Sequence, residues 1–243
     1  MNTNNLRKLA LLLCCAWLFP AMAFAQDQKV NASEIMEAIK SGNDISYENV
    51  TVTGTLDFTF MDGKSEDMPS RRWWDWNSTN SIKEDIMVKV RFVNCVFEDD
   101  VLAYFHDDRT ENTFIANFER EVTFRNCNFN RDALFKYSEF EEAVDFSGSV
   151  FARESNFKYA EFEEAANFAR CDFDEEGNFK YAEFDQGLDF SNTLFQEDLN
   201  LKYSDIRGEF LLEKVDVRGD VDTKYTEVNG RSFSFYAVNR DDD

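Results

Sequence analysis

One unit of 22 residues recurs through the second half of this chain. Residues 156–177 read NFKYAEFEEAANFARCDFDEEG, residues 178–199 read NFKYAEFDQGLDFSNTLFQEDL, and residues 200–221 read NLKYSDIRGEFLLEKVDVRGDV. An earlier copy begins at Leu134, and the series runs over residues 113–229. A fixed period of this length points to a solenoid, in which each unit buries its apolar face only by stacking on the next. Within the unit, large apolar residues fall at Phe124, Phe129, Phe135, Phe140, Phe146 and Phe151, and so on to Phe195. Leu201, Ile206, Leu212 and Val217 continue the series. The spacing alternates between five and six, which is neither the 3.6 of a helix nor the 2 of a long strand. Most of these residues have a small one two places earlier, such as Cys127, Ser138, Ser149, Ala160, Cys171 and Ala182. An offset of two puts both side chains on one face of an extended segment. The chain must therefore turn after every such segment, and four segments close a square coil. Coils stacked at roughly 4.8 Å would lay each Phe on its equivalent in four inward columns. The extra residues of the two six-residue segments then fall at opposite corners as bulges.

The five-residue unit is a small residue, Asp, Asn or Glu, a large apolar residue, then two polar ones. It appears as Ala166-Asn167-Phe168-Ala169-Arg170, Cys171-Asp172-Phe173-Asp174-Glu175 and Ala160-Glu161-Phe162-Glu163-Glu164. In this the chain resembles the pentapeptide-repeat proteins, with a 22-residue coil in place of that family's usual 20. The resemblance implies an all-β fold, a right-handed quadrilateral parallel β-helix, here of about seven coils. It also implies one activity class, because some members mimic DNA by shape and negative charge and bind a topoisomerase.

Residues 1–25 have the pattern of a secretory signal: Arg7 and Lys8, an apolar run from Leu9 to Phe19, then Ala23-Phe24-Ala25. The run is too short to span a bilayer. Cleavage after Ala25 and export to the periplasm or the outside is the expectation, with no membrane association afterwards. The full chain carries a formal charge of −22. Such a charge argues against nucleic acid or an anionic membrane as a partner. Residues 26–44 hold a short amphipathic stretch with Ile35, Met36 and Ile39 on one side, expected as a helix capping the first coil. The solenoid is expected over residues 45–231, with loop insertions at about 62–85 and 103–112, and a final strand and acidic tail at 232–243. The first insertion carries Arg71, Arg72, Trp73, Trp74 and Trp76, read either as a binding loop or as a plug packed on the solenoid. The apolar residues of 233–238 are a candidate homodimer surface.

No catalytic constellation is present. There is one histidine, His106, so any site needing two is excluded, and no Gly-rich phosphate loop or CxxC occurs. His106 with Asp107 and Asp108 makes a weak metal pattern, better read as an exposed loop. No enzyme activity and no cofactor are expected; acidic columns that hold Ca²⁺ between coils are a further alternative. Cys95, Cys127 and Cys171 share the small inward position, as buried free thiols or with Cys95 and Cys127 bridged. The distinctive decoration is outward. Tyr137, Tyr159, Tyr181, Tyr203 and Tyr225 form one column, beside Lys136, Lys158, Lys180, Lys202 and Lys224. Glu139, Glu161, Glu183, Asp205 and Glu227 form another, expected to pair with the lysines across the corner. The Lys and Tyr strip is the candidate surface for an extended protein, peptide or glycan partner; the alternative is a ladder that only stabilises the coils.

Overall fold

Asparagine or aspartate starts many of the tight turns of the chain. The Asn156 Oδ1 accepts from the Lys158 amide at 3.1 Å, and Asn178 and Asn200 hold the Lys180 and Lys202 amides at 3.2 Å. Asn167 and Asp189 do the same for Ala169 and Ser191. The carbonyl of the following large residue then accepts from the amide three places on, as in Ala160 to Phe157 and Ala182 to Phe179, both 3.0 Å. The third residue of each such turn has a positive φ. These local bonds stop a strand from growing past two residues, because side chain and turn take up the backbone groups that a longer ladder would use.

The computed structural model describes residues 28–61 and 81–234. Its strands are gathered into four sheets, one per side of the coil, two of them with seven strands, one with eight and one with nine. Successive coils pair in parallel and in register: Phe140 with Phe162, Phe151 with Phe173, Ala166 with Leu188 and Ser155 with Gly177. The chain therefore has the parallel β-solenoid architecture that its period implies. Ile45 pairs with Val90, 45 residues on, and Val90 with Val122, 32 residues on, before the spacing settles at 22.

The two long coils contain the insertions, and for residues 81–85 and 104–107 the expectation of loops is corrected. Ser81–Ile86 is a strand parallel to Asn112–Phe118, paired over six positions, and Tyr104–Asp107 returns antiparallel to Asn112–Phe118. The physical reason is a period of two that the five-and-six rhythm masked: Phe114, Ala116 and Phe118 are all buried on one side of that strand. Residues 62–80, with Arg71, Arg72, Trp73, Trp74 and Trp76, lie outside the described residues, as do the signal-like residues 1–25 and most of the C-terminal apolar run.

The interior is aromatic. Phe140, Phe162 and Phe184 stack at 4.9 and 4.7 Å, and Phe151, Phe173 and Phe195 at 4.7 Å each. Rings of adjacent columns meet edge to face, as Phe157 and Phe168 do at 5.1 Å and 80°. Both geometries are favoured by the ring quadrupole. The small inward residues fit between them, and their hydroxyls donate to the carbonyl of the coil before. Ser149 reaches Phe124, Thr193 reaches Phe168 and Ser204 reaches Phe179, at 2.6 to 2.8 Å. Ser138 Oγ is a buried side-chain atom without a partner. The carbonyl it would meet belongs to Ala103, whose oxygen takes the Ala116 amide of the insertion strand instead. The three cysteines are buried and free, as fillers; burial pushes the Cys171 thiol up to about 12. The bridged alternative for Cys95 and Cys127 is not what forms.

The helix Ala32–Lys40 starts at Asn31, whose side chain accepts from the Ser33 amide. It buries Ala32, Ile35 and Ile39 and lies against Gln28–Asn31, Ile45–Glu48 and Leu56–Asp57.

Candidate recognition surface

Two corners of each coil use the same backbone and fill it very differently. At one, the positive φ is taken by Asn126, Gly148, Arg170, Asn192 and Lys214; at the other, by Tyr137, Tyr159, Tyr181, Tyr203 and Tyr225, at 60° to 63°. Such turns favour Gly or Asn, because a β-carbon crowds the backbone there. A left-handed residue costs roughly 1–2 kcal/mol. The tyrosine rings stack at 4.8, 4.7, 4.7 and 4.9 Å, with planes 1° to 19° apart. Each aromatic pair is worth ~0.5–1.5 kcal/mol beyond its buried area. Four ring pairs thus return less than the five strained residues cost. A column of Asn would hold the corner about as well, so stability alone gives no reason for tyrosine.

The ladder has a sixth ring that sequence reasoning missed. Tyr104, from the second insertion, tilts over Tyr137 at 5.9 Å and 50°. It is off the 22-residue period; the available signal was that this insertion leaves the coil beside the tyrosine corner. At the other end Tyr225 is the most open ring, 62 % exposed.

The lysines do not pair with the acidic column as expected. Each ammonium instead lies over the ring of the tyrosine that follows it, from 4.8 Å for Lys136 to 5.6 Å for Lys202. Lys136 also sits 4.7 Å from the Tyr104 ring. The left-handed tyrosine projects between the two columns, and the ammonium takes the nearer aromatic face. Of the five lysines, only Lys202 has an ion pair among the described residues, with Asp222 at 3.8 Å. In the acidic column, Glu139 pairs with Lys83 and Asp205 with Arg207 at 2.6 Å. Glu161 and Glu183 have no ion pair among the described residues. Like charges therefore stack at the centre of the strip. Desolvation, then Lys136 and Lys180, holds the Lys158 ammonium below its ordinary range. Desolvation, then Glu139 and Glu183, raises the Glu161 carboxyl.

Elsewhere, His106 Nδ1 lies 3.0 Å from the Thr113 hydroxyl and Nε2 lies 3.6 Å from Asp108. Asp107 is buried and accepts from the Arg109 amide, which lowers its carboxyl, and from Thr110. These residues close a hairpin. No group of three or more acidic, His or Cys side chains is arranged to hold a metal ion among the described residues, so the Ca²⁺ alternative gains no site there.

A model for pentapeptide repeats in nine copies matches residues 116–161 and 157–205, the same stretch that carries the regular coils and most of the ladder. These residues are pentapeptide repeats. No curated protein and no solved structure gave a match. Members of this family are generally structural or interaction proteins.

The protein also stacks its carboxylates, and that has a pH signature. Desolvation leads the upward shift at Glu119, Asp132 and Glu161; neighbouring acids add to it, Glu141 at Glu119 and Asp100 at Asp132. A carboxyl raised in the folded state binds more protons folded than unfolded, so stability increases as pH falls through the raised value. The gain is complete below the ordinary 4.5 of Glu and 3.8 of Asp. Asp107, shifted the other way, loses stability only below that window. The melting temperature is expected to rise as the pH is lowered from 7 through the raised values towards 4.5. A flat or falling profile in thermal unfolding would contradict it.

Proposed function

We propose that this protein is exported and acts outside the cytoplasm as a non-enzymatic binding module, with the tyrosine and lysine corner as its recognition surface. The observation that carries the reading is the run of five tyrosines at φ near 60°, where the opposite corner uses Asn, Gly, Arg and Lys. Strain kept at a surface without a net gain in stability is a mark of a functional constraint. Because the rings cover one another's faces, a partner meets ring edges, hydroxyls and ammonium groups. That favours a protein surface over a glycan, which would need open ring faces. Export rests on the pattern of residues 1–25.

The test is a cross-linking capture from native envelope extract with the protein starting at Gln26. Beside it runs a variant with Tyr159→Asn, Tyr181→Asn and Tyr203→Asn. Asn suits a positive φ, so this variant is expected to melt within a few degrees of the parent while losing the partner. Equal capture by both would remove the strip from consideration. Amino-terminal sequencing of the native protein, expected to begin at Gln26, checks export separately.

A further inference from the structure

Around each coil the decoration of the strip runs in one order: lysine, tyrosine, acid. Lys158, Tyr159 and Glu161 are followed in the next coil by Lys180, Tyr181 and Glu183. The middle column is neutral and the flanking columns have opposite charge. Consider a second copy brought against this strip by a two-fold axis parallel to the coil axis. That operation exchanges left and right while leaving the coil direction unchanged. Tyrosine then faces tyrosine, each lysine column faces an acidic column, and the contact is isologous, with both sides alike. An axis perpendicular to the coils would instead set lysine on lysine.

Spacing selects the same partner. The rungs repeat at 4.7 to 4.9 Å along the ladder. An extended peptide advances ~3.3 Å per residue and drifts out of phase within two coils. A second copy has the identical repeat and stays in phase over the whole strip. The groups that would be joined are the ones left over within the chain. Lys136, Lys158, Lys180 and Lys224 have no ion pair with a carboxylate among the described residues, and neither do Glu161, Glu183 and Glu227. Within each column they stack on neighbours of their own sign, and only Lys83 near Glu161 and Arg207 near Glu183 offset part of that repulsion in the acidic column; an opposite column would relieve the rest.

We infer that the partner of the tyrosine strip is a second copy of this chain, docked in parallel with Lys158 and Lys180 against Glu161 and Glu183 of the other copy. The inference rests on the binding role proposed above. It uses the side of the solenoid and leaves the C-terminal apolar residues out of the contact.

Sedimentation equilibrium over a range of protein concentrations tests it, using the parent, a Lys158→Glu/Lys180→Glu variant and a Glu161→Lys/Glu183→Lys variant. The parent is expected to form dimers that weaken as salt is raised. Each variant alone should dimerise at least tenfold more weakly, since both of its flanking columns then carry one sign. Mixed together, the two variants should restore a heterodimer of parental strength, which also shows that both are folded. A parent that stays monomeric overturns the inference, and so does a dimer indifferent to both variants. If the parent is monomeric but the capture experiment still yields a Tyr-dependent partner, the recognition role stands and only the identity of the partner falls.

Discussion

Phe157→Ala is expected to cost about 3–5 kcal/mol, the range for removing a fully buried aromatic side chain. Phe157 is inaccessible to solvent, stacks on Phe135 at 5.2 Å and Phe179 at 5.0 Å, and meets Phe146 and Phe168 edge to face at 5.5 and 5.1 Å. Its loss would leave facing rings in the coils above and below without a partner. The backbone around it cannot collapse inward, because it is tied in register on both sides by two-residue strands. A solenoid holds together only through neighbours, so a cavity in one coil lowers the coupling between the halves it joins. Two results are therefore expected in urea denaturation. The midpoint should fall, and the single transition of the parent should broaden or divide as residues 45–155 and 178–234 lose their linkage. Val217→Ala, on the last strand of its sheet and only partly buried, should change the midpoint by less than about 1 kcal/mol. Similar losses at both positions would mean that the stacked columns do not carry the stability.

Much of this was legible in the sequence because the solenoid repeats its own evidence. The five-and-six rhythm located Phe124, Phe140 and their equivalents as inward columns, and the offset of two located Ser149 and Cys171 beside them. Parallel stacking followed from the period. The corner conformation was not legible, since tyrosine is a residue one would not place at a positive φ. Without that, the geometry separating Lys158 from Glu161 was also hidden, and an ion pair was expected where the ammonium in fact covers a ring. Tyr104 escaped because it belongs to no repeat. The insertion strands escaped for a related reason: Phe114, Ala116 and Phe118 alternate with a period of two inside a chain whose dominant period is different. The Trp-rich residues announce themselves by composition alone, and composition has no geometry in it.

Gly187→Ala is expected to cost about 3 kcal/mol, the sum of a conformational and a steric term. Gly187 has φ +121°, outside the region that any side chain tolerates well. A β-carbon there would also lie 2.8 Å from the carbonyl oxygen and 3.3 Å from the amide nitrogen of Glu209 in the next coil. Both atoms belong to the backbone that pairs Gly187 with Glu209, so neither can swing aside as a side-chain end would. The preceding coils hold Ala143 and Ala165 at this position without a positive φ, so the close approach is particular to this step of the solenoid. Gly230→Ala separates the two terms: φ is +71°, but nothing lies within 4 Å of the added carbon. Its cost should be only the conformational part, about 1 kcal/mol. Because the clash falls between two coils, Gly187→Ala should open the solenoid at that step and expose residues 209–234 first. Limited trypsin digestion should then cut at Arg207 and Lys214 well before the earlier coils, and at rates the parent does not show. Equal costs for the two glycines would mean that strain decides, and that the coils can separate locally to accept the methyl group.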